Sequence, residues 1–354
     1  MRLAVDALQI HEGNISCSIV AKELLHRLPD HMHAVVFTTD KGQEQLRSVL
    51  TQRVEVVSVL GCAPVWRRVW IQHSAVQQFA RARGCVALLA LQSVVGFRSL
   101  LPCVALAQNP VGAAARGARG VRRPYYKWVY VRALRAADVV VCSSVSSKVD
   151  LAALDRRRPK AKIHVVHLGV NTEGTACTRR NPLKSGMVLF VGNGLPHKQW
   201  PFAVQVFEGM GGARSGRTLV GVGPGLSDFR VPGVRVVGVL RREQVDQLYL
   251  EADVLLVPST GETFALPVVE ALVAGCPVVA MNVGIAPELS SIGGLQVLDA
   301  LNADEWAMHA IALCDQGGPI EVERERLARA FSWQTCARTI WSLCEQVGNQ
   351  GTAF

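Results

Sequence analysis

The sequence has no apolar stretch long enough to form a membrane-spanning helix. Such a helix needs roughly 18 to 20 consecutive apolar residues, and polar or charged residues interrupt every apolar run of this 354-residue chain before that length. The N-terminus, MRLAVDALQI, also lacks the plan of a secretory signal peptide, because Asp6 interrupts its apolar run at once. These absences predict a cytoplasmic protein.

Paired cysteines are missing as well. Ten cysteines are scattered along the chain, and none of them forms a CxxC pair. Several lie inside apolar runs, as Cys142 does in VVVCSS. The spacing therefore argues against a zinc site and a disulfide framework, and it predicts reduced cysteines that pack as small apolar residues.

A long part of the first half has no acidic side chains. Between Glu55 and Asp138 lie 82 residues with twelve Lys or Arg and no Asp or Glu. Residues 1–170 carry a formal charge of +14, whereas residues 171–354 carry −4. A solvated basic face is the simplest interpretation, but a charge this one-sided favours an anionic partner.

Aromatic residues lie among these basic ones, in WRRVW at 66–70 and in RGARGVRRPYYKW at 116–128. Trp and Tyr suit the headgroup depth of a membrane, where Lys and Arg meet anionic lipid. Nucleic acid is the competing partner, but the sequence has no RNP, helix-turn-helix or finger pattern. A membrane surface is therefore favoured over nucleic acid.

Short apolar segments alternate with segments of helical periodicity along most of the chain. Wholly apolar strands that helices separate indicate a parallel sheet covered on both faces. The alternation stops at NTEGTACTRRNPLKSG, residues 171–186, which is typical of a linker. The sequence thus predicts an α/β protein with two doubly wound, Rossmann-like domains and a ligand-binding cleft between them.

Two glutamates stand between apolar segments in GETFALPVVEALVAGCPVVA, residues 261–280. Glu262 is expected in the loop after the strand DVLLVPS, and Glu270 about one turn inside the helix PVVEALVAG. Pro267 suits the first turn of this helix, and Gly275 its end. We expect both carboxylates to face one cavity.

An anion site is predicted beside these glutamates. The backbone N–H groups from Thr263 to Leu266 would open the helix and bind phosphate, whereas carboxylates accept hydrogen bonds from sugar hydroxyls. A ligand with hydroxyls and phosphates would suit this arrangement. In the plainer interpretation, Glu270 only stabilises the helix N-terminus and Glu262 is solvated.

Two further loops follow predicted strands in the second half. In LFVGNGLPHKQWP, residues 189–201, Lys198 precedes a helix and is placed to meet a phosphate; alone, it could equally be a surface lysine. LVGVGPG, residues 219–225, is a glycine loop without a clear helix after it, so it is no dinucleotide fingerprint. It would let a base or ribose approach the backbone closely.

In combination these segments resemble the GT-B-fold retaining glycosyltransferases of family 4, the glycosyl transferases group 1. The resemblance is strongest over about 187–290, where VGNGLPHKQWPFAVQVF, LVGVGPG and the two-glutamate stretch follow the order of the family's donor domain. AVDA, AADVVVCSS and VVHLGVN match the first half more loosely, and FSWQTCARTIW resembles the family's closing helix. The resemblance implies a basic, membrane-facing acceptor domain at 1–172, a nucleotide-sugar donor domain at 173–330 and a helix at 331–354 that crosses back.

The resemblance also implies roles for individual residues. Glu270 would bind the ribose hydroxyls, the catalytic Glu262 would contact the donor sugar near its reacting carbon, and the catalytic Lys198 would neutralise the diphosphate leaving group. Neither a metal nor another cofactor is expected, because cations and helix dipoles do that work in the family. The remaining donor-binding residues would be Asn193, Gly194, His197, Gly223, Thr263, Phe264, Ala265, Leu266 and Arg241. The residues on the acceptor side would be Gly13, Asn14, Gln108 and Asn109.

The sequence departs from the family pattern at three places. The arginine that often precedes the lysine is absent, with Asn193 and Gly194 there, so Arg241 or Arg242 would have to replace it. Ala265 stands where the family has glycine, and it would strain a backbone that needs positive φ. Gln108 and Asn109 replace a common histidine.

The leading prediction is a retaining glycosyltransferase that moves a sugar from GDP-mannose or a UDP-sugar to a lipid-linked or cell-surface polysaccharide acceptor. It would work as a peripheral protein at the inner face of the plasma membrane. The alternative is a non-catalytic GT-B scaffold that binds membrane or a partner enzyme. A nucleic-acid binder is the least favoured class.

Overall fold

The computed structural model describes residues 1–10, 15–60, 65–97, 100–108, 122–155, 161–171 and 185–351. The chain divides into two compact units. The first unit comprises Met1–Gly169 and Trp333–Phe354, and the second comprises Val170–Ser332. The chain therefore returns to the first unit at Trp333, where its last helix begins.

Each unit contains one parallel sheet. The order is β3-β2-β1-β4-β5-β6-β7 in the first unit and β10-β9-β8-β11-β12-β13 in the second. The strands of the first unit are β1 (Arg2–Asp6), β2 (His33–Thr39), β3 (Val54–Leu60), β4 (Ala87–Ala90), β5 (Cys103–Ala107), β6 (Val139–Cys142) and β7 (Lys162–Val165). Those of the second are β8 (Met187–Val191), β9 (Thr218–Val222), β10 (Val234–Gly238), β11 (Val254–Val257), β12 (Val278–Met281) and β13 (Leu295–Leu298).

Helices connect the strands. They are α1 (Ile15–His26), α2 (Asp40–Gln45), α3 (Val65–Ser74), α4 (Val76–Ala82), α5 (Arg122–Ala136), α6 (Val145–Leu154), α7 (Trp200–Gly209), α8 (Arg242–Glu251), α9 (Leu266–Ala274), α10 (Ala303–Gln316), α11 (Glu321–Ala330) and α12 (Trp333–Gly351). Short 3-10 turns span Arg47–Val49, Pro196–Lys198, Gly212–Ser215 and Ala286–Leu289.

The sheet of the first unit is buried on both faces. Leu3 and Val5 of β1 pack on one face with residues of α1 and α12, whereas Ala4 packs on the other face with residues of α4 and α5. Successive side chains of a strand point to opposite faces, so a strand covered on both sides is apolar throughout. This is why the apolar runs predicted a parallel, doubly covered sheet.

Helix α12 completes the core of the first unit. Ile340 and Trp341 are almost fully buried, and the Trp341 indole Nε1 donates to the Leu24 carbonyl of α1 at 3.0 Å. An indole N–H buried without a partner would cost free energy, and this bond avoids that cost.

Aromatic side chains fill the core of the second unit. The rings of Phe190 and Trp200 lie 5.0 Å apart, and Phe202 meets Trp306 edge-on at 5.4 Å. The Trp200 indole donates to the Ser227 carbonyl at 2.9 Å. These contacts fix α7 and α10 against the sheet, so the loops that follow its strands have a rigid base.

The cysteines within the described ranges carry no disulfide, and all but Cys314 are buried. The prediction that the cysteines are buried is confirmed for the described ones other than Cys314. Burial raises the pKa of Cys17 to about 12 and that of Cys85 to about 11, so both thiols stay protonated. Over the same residues, no helix is both long and apolar enough to cross a membrane.

Candidate functional site

Glu262 and Glu270 lie in the local structures that the sequence predicted. Glu262 is in the loop between β11 and α9, and Glu270 is one turn inside α9. Pro267 lies in the first turn of α9, and Gly275 ends it with a left-handed φ of 83°. Ala265 precedes the helix with φ 71°, which confirms the expected positive φ at this alanine.

The loop that carries Glu262 is anchored at two points. The Thr260 N–H donates to the His197 carbonyl at 2.8 Å, and the Ile285 N–H donates to the Phe264 carbonyl at 2.8 Å. The Phe264 ring is buried and lies 5.8 Å from the ring of Phe331. Glu262 is therefore held between two fixed positions, although it lies outside regular structure.

The strand order of the second sheet reverses beside this loop. Strands β9 and β10 lie on one side of β8, whereas β11, β12 and β13 lie on the other. The loops after β8 and β11 leave the sheet at this reversal, and they carry Lys198 and Glu262. Ligands of open α/β sheets bind at such a point, outside the carboxyl ends of the strands.

Lys198 and Glu262 form an ion pair there. The Lys198 Nζ lies 2.5 Å from the Glu262 Oε1, and the two side chains are 18% and 12% exposed. Burial lowers the pKa of the neighbouring His197; the charge of Glu262 acts against this shift and that of Lys198 adds to it. His197 is thus neutral at pH 7, and Lys198 is the cation of this turn.

The two glycine loops after β8 and β9 touch each other. The Gly194 N–H donates to the Pro224 carbonyl at 2.9 Å. A Cβ added to Gly194 would lie 1.7 Å from the Gly225 carbonyl oxygen, and one added to Gly223 would lie 1.8 Å from the Gly192 carbonyl oxygen. Neither position has room for a side chain, which explains why residue 194 is not the arginine of the family pattern.

Asn193 shapes the turn that leads to Lys198. Its side-chain oxygen Oδ1 accepts from the Leu195 N–H at 3.2 Å. Asn residues commonly bond their own backbone two residues on. The donor-binding roles of Asn193, Gly194 and Gly223 remain predictions, as do those of Thr263 and Leu266 at the start of α9.

Glu270 is buried in a second cluster, where each carboxylate oxygen has its own donor. The Oε1 accepts from the Arg242 Nη1, and the Oε2 accepts from the Tyr249 hydroxyl at 3.0 Å. The Arg242 Nη2 lies 2.7 Å from the Asp246 Oδ1. These two atoms form an ion pair, but their geometry is not that of a hydrogen bond. Arg242 thus lies between two carboxylates.

The pKa values keep this cluster in one protonation state. Burial acts to lower the pKa of Arg242, but the charge and hydrogen bond of Glu270, together with the charge of Asp246, outweigh it and raise this pKa. Burial, and after it the negative charge of Glu270, raises the pKa of Tyr249 well above its usual value. The guanidinium therefore stays charged, and the phenol keeps the proton that it donates.

Helix periodicity explains how α8 presents these groups. Arg242, Asp246 and Tyr249 are spaced i, i+4 and i+7, so they share the face of α8 that meets α9. The sequence reasoning missed Asp246 and Tyr249, although two polar residues on the buried face of an amphipathic helix are a readable signal. The sequence offered Arg241 or Arg242 as a replacement for the missing arginine. The structure brings Arg242 to Glu270, whereas the Arg241 backbone N–H donates to the Gln244 Oε1 at 3.0 Å. The donor-binding role of Arg241 stays a prediction.

The residues predicted on the acceptor side belong to the first half of the chain. Gly13, Asn14 and Asn109 lie outside the described residues. Gln108 directly follows β5 in the first unit and is half-buried. Their roles stay predictions.

A buried carboxyl lies where the strand order of the first sheet reverses, between β1 and β4. The Gln72 Nε2 donates to both oxygens of Asp6 at 3.2 and 3.0 Å, and the Leu8 N–H donates to its Oδ1 at 3.1 Å. The Gln9 Nε2 in turn donates to the Gln72 Oε1 at 2.9 Å. Burial raises the pKa of Asp6 to about 6, although the hydrogen bonds from Leu8 and Gln72 act to lower it.

Exposed aromatic residues form a patch on the first unit. Phe97 and Trp128 are 56% and 41% exposed, and their ring centres lie 6.0 Å apart. Both rings also contact His73, at 5.1 Å each. Trp70, 61% exposed, lies one turn before His73 on α3. We call Trp70, Phe97 and Trp128 the aromatic patch.

Comparison with known proteins identifies the second unit. Residues 185–316 match the family described as glycosyl transferases group 1. The chain contains a glycosyl transferases group 1 domain. The predicted resemblance is thereby confirmed for this glycosyltransferase domain, which includes Lys198, Glu262 and Glu270.

Two curated relatives match this chain over part of their length. O-antigen chain mannosyltransferase B of Escherichia coli is 33% identical over 106 residues, which are 29% of this chain and 28% of that protein. D-inositol 3-phosphate glycosyltransferase of Mycolicibacterium smegmatis is 31% identical over 222 residues, 56% of this chain and 50% of that protein. The matches span about a quarter to a half of these relatives.

Solved structures match the fold of this protein over nearly the whole chain. Sucrose-phosphate synthase from Thermosynechococcus elongatus has a TM-score of 0.75 at 17% identity, covering 99% of this chain and 100% of that one. WaaG, a glycosyltransferase involved in lipopolysaccharide biosynthesis, has a TM-score of 0.68 at 16% identity, and the match covers 100% of both chains. HepE from Anabaena, in complex with UDP and glucose, has a TM-score of 0.68 at 16% identity. This match covers 98% of this chain and 100% of HepE. The predicted α/β architecture of GT-B type, with two doubly wound domains, is confirmed.

Proposed function

We propose that this protein is a retaining glycosyltransferase that moves a sugar from a nucleotide diphosphate sugar to a lipid-linked or cell-surface polysaccharide acceptor. The observation that carries the proposal is the Lys198–Glu262 ion pair at the strand-order reversal of the second sheet. The pair offers a cation and a carboxylate at the place where such sheets bind their ligands. The first unit would bind the acceptor.

The two members of the pair suit the two ends of the bond that breaks. When the bond between the sugar and the diphosphate breaks, negative charge develops on the departing phosphate oxygen, and the Lys198 ammonium would stabilise it. The Glu262 carboxylate would accept a hydrogen bond from a hydroxyl of the sugar, or stabilise positive charge near its reacting carbon. Retention would follow if the acceptor attacks from the face that the diphosphate leaves.

Glu270 suits the ribose of the donor. Its buried carboxylate is a hydrogen-bond acceptor in a cluster where Arg242 keeps its positive charge, and hydroxyl groups are the donors that a nucleotide offers to such a carboxylate. The start of α9, at Leu266, would add N–H groups for a phosphate.

GDP-mannose or a UDP-sugar is the donor that we propose. The mannosyltransferase among the relatives favours GDP-mannose, whereas the UDP in the HepE complex favours a UDP-sugar. No metal would be needed, since Lys198 and the N–H groups at the start of α9 would offset the charge of the diphosphate. Turnover that survives EDTA without added metal would support this, whereas turnover that EDTA abolishes and Mg²⁺ or Mn²⁺ restores would contradict it.

An anionic membrane surface is the proposed location, at the inner face of the plasma membrane. The aromatic patch offers amphipathic rings for the headgroup region. The segment that carries it, between Glu55 and Asp138, has twelve Lys or Arg and no acidic residue. Such a surface would bring the enzyme to a lipid-linked acceptor.

Nucleotide binding and turnover of matched variants test the proposal. Wild-type protein should bind UDP or GDP in calorimetry, and Lys198→Met and Glu270→Gln should each lower turnover of the matching sugar nucleotide by about a hundredfold. Glu325→Gln is the matched control, because Glu325 pairs with Arg329 on the exposed face of α11. Wild-type turnover in either site variant would refute the residue assignment.

A non-catalytic scaffold that binds membrane or a partner enzyme is the second candidate. Two observations favour it. Gly194 has no room for the arginine of the family pattern, and Glu270 already has a donor on each oxygen. A protein that binds neither UDP nor GDP, yet binds anionic vesicles, would favour the scaffold over the enzyme.

A further inference from the structure

The Glu270 carboxylate is held by two donors from one helix face. Arg242 donates to one oxygen and Tyr249 to the other, and both residues belong to α8, whereas Glu270 belongs to α9. A carboxylate held at both oxygens has little freedom to rotate. Its remaining acceptor capacity is therefore presented in a fixed orientation.

The hydrogen bonds from Arg242 and Tyr249 leave part of the Glu270 carboxylate available to a ligand. An ionised carboxylate has about four lone-pair sites on its two oxygens. Arg242 and Tyr249 use one on each oxygen, so about one on each oxygen remains. A vicinal diol offers two O–H donors at matching separation, and the 2′ and 3′ hydroxyls of a ribose are such a diol.

The charges of the cluster explain why Arg242 suits a role in holding Glu270 and does not suit a role as a phosphate ligand. Its Nη1 donates to Glu270 and its Nη2 lies 2.7 Å from Asp246, so its charge lies between two carboxylates. A phosphate brought to this guanidinium would meet both negative charges. Lys198 has one carboxylate partner in the described structure and suits a phosphate better.

We propose that Tyr249 and Arg242 are positioning residues that orient Glu270 toward a ribose diol, so that they set the preference of the site for ribonucleotides over 2′-deoxyribonucleotides. This inference rests on the proposed function, in which Glu270 binds the donor's ribose. Asp246 holds the second arm of Arg242 and so supports the same orientation.

Calorimetry with paired nucleotides tests the proposal. The probes are UDP and GDP, whichever the wild type binds, and the 2′-deoxy form of that nucleotide. Tyr249→Phe removes only the hydroxyl, and Arg242→Lys keeps the charge but loses the planar fork. We expect each variant to bind the ribonucleotide about tenfold more weakly and the 2′-deoxy form within about twofold of wild type. Tyr125→Phe, whose hydroxyl lies 3.3 Å from His73 in the first unit, is the matched control and should change neither.

The outcomes separate this inference from the proposed function. If the wild type binds neither nucleotide, or binds the ribose and deoxyribose forms equally, the ribose role of Glu270 fails and the inference fails with it. If the wild type discriminates and both variants keep its ratio of affinities, only the positioning role is overturned. Equal weakening of both nucleotides also overturns it, because that is the result of a merely structural role. Thermal unfolding identifies a variant that does not fold, and the other variant then decides.

Discussion

The Lys198 Nζ lies 2.5 Å from the Glu262 Oε1, although the two residues are 64 positions apart in the sequence. The two residues follow β8 and β11, which are neighbours at the reversal of strand order. Because each side chain is less than a fifth exposed, solvent screens the pair less than it screens a surface ion pair. The attraction between the two side chains is therefore stronger than it would be between the same groups on the surface.

The first prediction concerns this ion pair. Lys198→Met and Glu262→Gln should each lower turnover by about 10² to 10³, since each removes a charge that would lie at the reacting bond in the proposed reaction. Lys198→Met should also destabilise the fold by about 1–3 kcal/mol, because it leaves a largely buried carboxylate without its partner. Adding Glu262→Gln should recover part of that loss. Urea unfolding and initial rates give both quantities.

The surface pair Arg329–Glu325 is the control for this double-mutant cycle. The same two changes there, Arg329→Met and Glu325→Gln, should alter unfolding free energy by less than about 1 kcal/mol and leave turnover unchanged. A Lys198–Glu262 cycle whose effects simply add would show that the two side chains do not interact in solution.

A second prediction concerns the contact between the glycine loops. Gly194→Ala should destabilise the fold by about 2–3 kcal/mol, since its Cβ would overlap the Gly225 carbonyl oxygen, which is backbone that has to move. Gly216→Ala is the control that separates steric overlap from backbone strain. Gly216 has φ 74°, and a Cβ added to it would meet no other atom within 4 Å. We expect Gly216→Ala to lower the free energy of unfolding by about 1 kcal/mol, from backbone strain alone. If denaturant unfolding shows the same loss of stability for Gly194→Ala and Gly216→Ala, the predicted overlap at Gly194 is wrong.

Local rules made much of the second unit predictable from the sequence. Apolar runs predicted its strands, Pro267 and Gly275 marked the ends of α9, and the spacing of the two glutamates placed Glu270 one turn inside that helix. The partners of these glutamates could not be derived in the same way. Which side chain meets Glu270 depends on how α8 and α9 pack, and this is not local information. The periodicity of α8 still held a signal, since Asp246 and Tyr249 share a face with Arg242.

The third prediction concerns the pH dependence that Asp6 confers. Its pKa is about 6 in the folded protein and about 3.8 as a reference for the unfolded chain. The folded state thus binds this proton more tightly, so the stability contributed by protonated Asp6 is present below about pH 4 and lost as pH rises to about 6. The loss is at most about 3 kcal/mol.

Asp6→Asn isolates this contribution, because an amide does not titrate. The difference in unfolding free energy between Asp6→Asn and wild type should shift in favour of the variant as pH rises from 4 to 6, and stay level from 7 to 8. Urea unfolding at each pH measures it, and lost hydrogen bonds to Gln72 add only a constant offset. Two curves that stay parallel through pH 4 to 6 would disprove the raised pKa.

The last prediction concerns the aromatic patch. Trp70→Ser and Phe97→Ser should each weaken binding to vesicles that contain anionic lipid by about tenfold, since each removes apolar surface that the headgroup region would cover. Met308→Ser and Val322→Ser are the controls; both residues are exposed apolar side chains of the second unit, and neither change should matter. Binding should also fall as salt rises, because salt screens the attraction between basic residues and anionic lipid. If the control variants lose as much binding as the patch variants, membrane contact does not depend on the aromatic patch.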